Sequence, residues 1–261
     1  FISILFILVV FASCSEYQKA LKTEDIGVKF DVATRQYEKG NYAKAIRLFE
    51  QIAPSYRGKP QAEKMFYMYA QSFYKTKQYY SSGYQFESFV SSYPKSEKKE
   101  EAAYLGAISF SKLSPRYSLD QIDTYKAIDK LQSFIDEYAD SQYLAEANVV
   151  VKELREKLEK KAFEIAKQYN TISDHKAAIV VLENFIIDFP GTLYKEQALY
   201  YKFDSAYQLA INSIESKKEE RLNVAKTAYA NLIKFNANTE FKSKADDMLA
   251  KIETDLKQYS K

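Results

Sequence analysis

The chain has 261 residues, 28% of them charged, with six Gly, five Pro and no Trp, a composition that suits long, solvent-facing helices around a sizeable core. A net charge of only +3, with no basic run interleaved with aromatic residues, argues against a nucleic-acid partner. One Cys and one His rule out a disulfide framework, a conventional zinc site and Cys–His or Ser–His–Asp catalysis, so neither an enzyme nor a cofactor is expected.

The chain opens with Phe1–Ser13, an uncharged and mostly apolar run. It is too short for a membrane-spanning helix, which needs about 20 residues, and matches the apolar region of a secretory signal peptide that starts upstream. Cys14, the sole cysteine, follows Ala12 and Ser13. The arrangement resembles a bacterial lipobox, with Phe11 in place of the usual aliphatic residue. That resemblance implies cleavage before Cys14 and acylation of its sulfur, the chain's only membrane attachment. No Asp follows Cys14, which favours the outer membrane over the inner. Residues 15–28 are polar with scattered apolar positions and are expected to form a tether, with a short helix over Tyr17–Leu21 as an option.

Next comes Phe30–Glu38 and Tyr42–Ile52, two helical stripes separated by Lys39, Gly40 and Asn41. Ala62–Lys75 and Tyr79–Ser92 repeat that arrangement, and Pro94 ends it. A small residue followed four positions later by a large one marks the second helix of each pair: Ala45/Phe49, Ser82/Phe86, Ala127/Leu131, Ala178/Leu182 and Ala225/Tyr229. Such units resemble tetratricopeptide repeats, with the later ones lengthened beyond the usual spacing of about 34 residues. The expected fold is all-α: a right-handed superhelical solenoid of about five tetratricopeptide-like helix pairs with a C-terminal capping helix.

The third pair is Lys99–Leu113 and Tyr125–Tyr138, interrupted by a loop over Ser114–Thr124 that Pro115 enforces. Ala145–Tyr169 reads as one long helix whose charges, four residues apart, describe a solvated face. Asp174–Asp188 follows, and His175 takes the place of Tyr42 and Tyr79, a packing position. Lys195–Ile214 and Leu222–Phe235 make the fifth pair, with Glu215–Arg221 (ESKKEER) expected as an insertion between them. Phe241–Tyr259 would cap the open end. The expected divisions are 1–13, signal peptide; 14–28, acylated Cys and tether; 29–138, N-terminal repeats; and 139–261, C-terminal repeats and cap.

Tyr138–Tyr143 (YADSQY), followed by the long helix, and Ile187–Thr192 (IDFPGT) resemble the BamD family, lipoproteins of the outer-membrane β-barrel assembly machine. The likeness runs from about Phe30 to Leu209. Gly40–Ile46 (GNYAKAI) agrees with it but is common to many tetratricopeptide proteins. Tyr56–Pro60 departs from the family's aromatic–Gly–Pro turn. The resemblance implies a non-enzymatic scaffold anchored to the periplasmic face of the outer membrane. Its N-terminal repeats would receive unfolded barrel proteins, and its C-terminal repeats would hold the periplasmic domains of a BamA-like barrel protein. Another envelope adaptor lipoprotein, one coordinating cell-wall synthesis, is the alternative. If the first helix of each pair lines a groove, Phe30, Thr34 and Tyr37 lie beside Tyr67, Gln71 and Tyr74. These residues either bind an extended peptide ending in an aromatic residue or pack the seam between repeats.

Overall fold

The structure is a computed structural model and describes residues 16–259. All regular structure among these residues is helical. A short helix over 16–22 (α1) precedes α2 (Ile26–Glu38), α3 (Tyr42–Tyr56), α4 (Ala62–Lys75), α5 (Tyr79–Ser92), α6 (Lys99–Ser111) and α7 (Ile122–Glu137). They are followed by α8 (Leu144–Thr171), α9 (His175–Asp188), α10 (Lys195–Ile211), α11 (Glu215–Phe235) and α12 (Lys242–Leu256). The chain divides into two compact units, Phe1–Leu154 and Arg155–Lys261, with the division inside α8. The sequence placed it at 138/139. Ala147, Val151 and Leu154 instead bury themselves in the same cluster as Tyr104, Phe110 and Phe134, which keeps the start of α8 with the first unit.

Within each unit the helices form hairpins whose second members carry the expected small–large pattern. Ala45, Phe49, Ser82, Phe86, Ala127, Leu131, Ala178 and Leu182 are all fully buried. In α11 the pattern shifts by one turn: Ala225 and Leu232 are buried, while Tyr229 is half-buried and donates to Asp246 of α12 at 2.6 Å. A small residue opposite each ring lets neighbouring helices close up. Between α5 and α6 this closeness requires glycine. A Cβ on Gly83 would stand 2.9 Å from the Phe110 ring, and one on Gly106 would stand 3.2 Å from Phe86.

Two kinds of turn recur. Inside a hairpin the first helix ends in a left-handed residue: Gly40 (φ 74°), Lys77 (φ 59°) or Ser173 (φ 63°). In each, the following amide bonds back five residues, Asn41 to Gln36, Gln78 to Phe73 and Asp174 to Tyr169, at 2.8–2.9 Å. This is the Schellman closure of a helix. A side chain in this conformation costs about 1–2 kcal/mol, against about 0.5–1 kcal/mol of extra chain entropy for glycine. Lys77→Gly and Ser173→Gly are therefore each expected to raise the unfolding free energy in urea by about 0.5–1 kcal/mol, and Lys77→Ala to leave it near wild type.

Between hairpins, an aromatic residue ends the second helix and packs on the Phe four positions before it. The pairs are Phe89–Tyr93, Phe134–Tyr138 and Phe185–Phe189, with ring centroids 5.1–5.2 Å apart. A hydroxyl then receives the next helix: Ser96, Ser141 and Thr192 accept from the amides of Lys98, Tyr143 and Tyr194 at 3.0–3.2 Å. Ser96 and Ser141 also donate, at 2.6 Å, to Glu63 and Glu100, each the second residue of the preceding hairpin's first helix. Each such bond ties one repeat to the next. Ser141 and Thr192 sit in YADSQY and IDFPGT, so the two stretches that carry the family resemblance are the turns that set repeat-to-repeat geometry.

Two expectations are corrected. ESKKEER is not an insertion but the opening of α11. Its Glu, Lys and Arg are good helix formers, and Arg221 bonds Ser213 Oγ at 2.7 Å while Lys218 pairs with Asp255 of α12 at 3.3 Å. The polar stretch expected as a tether takes up its optional helix, over 16–22, and is packed rather than loose, with Tyr17 and Ala20 buried among Phe30, Val32 and Phe49. Cys14 and the apolar run before it lie outside the described residues.

Candidate functional site: the first-helix face of the N-terminal unit

Besides its hairpin partner, α4 packs against α2 on one side and α6 on the other, so first helices lie side by side. Their shared face holds a row of hydrogen bonds. The Tyr37 hydroxyl donates to Gln71 Oε1, and Gln71 Nε2 donates to the Tyr67 hydroxyl at 2.7 Å. Glu101 of α6 lies near enough to the Tyr67 hydroxyl to act on it electrostatically. Lys98 pairs with Glu101 at 2.9 Å and stands 5.6 Å from the centroid of the Tyr67 ring. Burial, then Glu101, holds the Tyr67 hydroxyl far above the ordinary phenol range, and burial does the same to a lesser degree for Tyr37. Both remain neutral at physiological pH.

Three of the six candidate groove residues, Tyr37, Gln71 and Tyr67, are thus brought together. Phe30 is only 5% exposed and stacks on Tyr56, 5.1 Å between centroids, so it belongs to the core beneath the face. Tyr74 meets Tyr79 edge to face at 5.9 Å, one turn along from the row. Thr34 is half-buried, and its Oγ1 is enclosed without a hydrogen-bond partner. Sequence reasoning missed Glu101 and Lys98, which extend the row onto a third helix. Their signal was the 37-residue step from the α4 aromatics, Tyr67 to Tyr104, which places Glu101 one turn before Tyr104 on α6.

Open clefts lie on the other side, between successive second helices. One of 480 Å³, between the end of α3 and α5, has Phe66, Phe89 and Tyr93 in its walls and Arg57, Gln85, Ser88 and Ser92 as its polar groups. Gly58, at φ 78°, turns the chain there, which is the shape taken by the departing Tyr56–Pro60 stretch. Another of 320 Å³ lies between α5 and α7 over Gly106. His175 begins α9 as Tyr42 begins α3 and Tyr79 begins α5, and it is half-buried with its Nδ1 enclosed and without a hydrogen-bond partner. Among the described residues no group of His, Cys, Asp and Glu could hold a metal ion, and no helix is long and apolar enough to cross a membrane.

The family model described as YfiO, outer membrane lipoprotein, matches residues 27–222. A putative outer membrane protein assembly factor BamD from Aquifex aeolicus is 25% identical over 223 residues, covering 85% of this chain and 71% of that one. The outer membrane protein assembly factor BamD of Caulobacter vibrioides is 21% identical over 189 residues, covering 72% of this chain and 62% of that one. A solved structure of tetratricopeptide-like repeats from a Podosopora anserina putative kinesin light chain aligns at TM-score 0.33 and 15% identity, covering 78% and 93% of the two chains. At that score it adds nothing to the fold, which stands on the helix hairpins themselves.

Proposed function

The chain belongs to the YfiO family of outer membrane lipoproteins, that of the BamD assembly factors, and on that premise we propose that it is a non-enzymatic scaffold in the assembly of outer-membrane β-barrel proteins. The observation that carries this reading is the family match from α2 to the buried Leu222 of α11, which takes in both units. We place the protein on the periplasmic face of the outer membrane, held by acyl chains on Cys14. The N-terminal unit receives unfolded barrel proteins, and the C-terminal unit docks the periplasmic domains of a BamA-like barrel protein.

For the first role, the Tyr37–Gln71–Tyr67 row offers ring faces beside amide and hydroxyl groups, the pairing that suits an extended peptide with an aromatic terminus. Its hydroxyls already have partners, so a peptide gains from ring contact rather than from new hydrogen bonds. A photoreactive side chain at Gln71 tests this, with a second at Lys75, which is exposed and one turn along the same face of α4. The Lys75 variant leaves the row intact. Both are expected to crosslink to the C-terminal peptide of a barrel protein above a scrambled control. Equal yields with the two peptides would mean that the row only packs the seam.

A further inference from the structure

The polar start of the described chain is not a leash. The chain is already helical at residue 16, the first described and two positions after Cys14, with Tyr17 6% and Ala20 1% exposed in the first core. Two peptide steps reach about 7 Å at full extension. Whatever holds Cys14 therefore holds this end of the N-terminal unit close to itself, within about one Debye length at physiological salt.

The surface at that end is basic. Arg35 in the last turn of α2 pairs with Glu16 at 2.5 Å, and Lys44 in the first turn of α3 stands 5.4 Å from the centroid of the Tyr17 ring. Lys39 lies one turn beyond Arg35 and Arg47 one turn beyond Lys44, both exposed. Lys19 is exposed on α1 itself, and the carboxylates in this group are Glu16 and Glu38. Five cations against two carboxylates leave the surface positive where the chain heads for its anchor.

We propose that this end of the N-terminal unit, carrying Arg35, Lys39, Lys44 and Arg47 around the start of α1, lies against the bilayer and engages anionic lipid headgroups. The inference rests on acylation of Cys14, as the functional reading does. The two acyl-proximal residues supply the tether, and the cations select one orientation of the unit on the surface. Lys and Arg near an anionic surface each strengthen attachment about fivefold, and that gain is lost within a Debye length.

The test uses the full acylated chain in phosphatidylethanolamine vesicles with or without phosphatidylglycerol. A fluorophore is placed at Ala43→Cys, an exposed position beside Lys44, or at Ser133→Cys on α7 as a control, and is quenched by nitroxide-headgroup lipids. Strong quenching at 43 and little at 133 is expected in the anionic vesicles. Both a flexible Gly/Ser insertion between Ser15 and Glu16 and the triple change Arg35→Gln, Lys39→Gln, Lys44→Gln should abolish the difference, while the protein still sediments with vesicles. Equal quenching at the two sites in the unmodified, vesicle-bound protein overturns the proposal. Protein that fails to sediment at all shows instead that Cys14 is not acylated, which removes the anchor and the proposal with it.

Discussion

Phe86→Ala is expected to lower the unfolding free energy by about 3–5 kcal/mol, the range for truncating a fully buried ring. Phe86 is wholly enclosed; its ring meets Tyr67 edge to face at 6.2 Å, and its Cβ faces Gly106 of α6. The site cannot collapse easily, because α5 and α6 are already as close as two glycines allow. The cavity term therefore adds to the lost transfer energy rather than being relieved. Gly83→Val should injure the same seam from the opposite direction, since its Cβ would be driven to 2.9 Å from the Phe110 ring; overpacking of this kind costs about 1–3 kcal/mol. Tyr80→Ala, at a position 64% exposed, is the control and should stay within about 0.5 kcal/mol of wild type. Urea denaturation followed by circular dichroism distinguishes these cases. A Phe86→Ala loss below that of Tyr80→Ala would mean that the repeats are not held together through this layer.

Local signals made much of this legible in the sequence. The bounds of α4 and α5 are those expected from the apolar stripes, because Lys77 and Pro94 flank segments whose periodicity has no competitor. The five hairpins follow from the spacing of Ala and Ser with Phe and Leu. What could not be read depends on partners distant in the chain. ESKKEER looked like an insertion because its charges have no local apolar stripe; the partners that meet it as a helix are distant in the chain, Asp255 for Lys218 and Tyr259, which donates to Glu215 at 2.5 Å. Residues 16–22 looked like a tether because only two of their side chains are buried, and the surface that buries them is made by α2 and α3.

The loop before α7 is a similar case. Gln121, a polar residue 4% exposed, donates to the carbonyls of Arg116 and Leu119 at 2.9 and 2.8 Å and accepts from Thr124 at 2.8 Å. One side chain thus organises a stretch whose sequence says only that Pro115 breaks the helix. In the candidate groove, periodicity placed Tyr37, Gln71 and Tyr67 on one face. It could not show that their hydroxyl and amide groups satisfy each other, because helix spacing fixes a face and not a hydrogen-bond partner. The same limit moved Phe30 from the groove into the core.

The second large effect concerns the C-terminal unit and is close to all-or-none. Here α11 is braced by α12 through Lys218–Asp255 and Lys226–Glu253 at 3.3 and 3.1 Å, leaving Lys217, Glu219 and Glu220 exposed. Charges on such a rim set partner choice and encounter rate more than raw affinity. The partner should therefore stay bound at physiological salt and be recovered less well as salt rises, because contacts between exposed charges are screened beyond about 10 Å at 0.1 M. Isolating the full, membrane-bound protein in mild detergent and identifying what accompanies it tests the central claim most directly. The account predicts recovery of a large barrel protein with repeated periplasmic domains. Recovery of cell-wall synthases in its place would contradict the assembly role and assign the chain to an envelope adaptor.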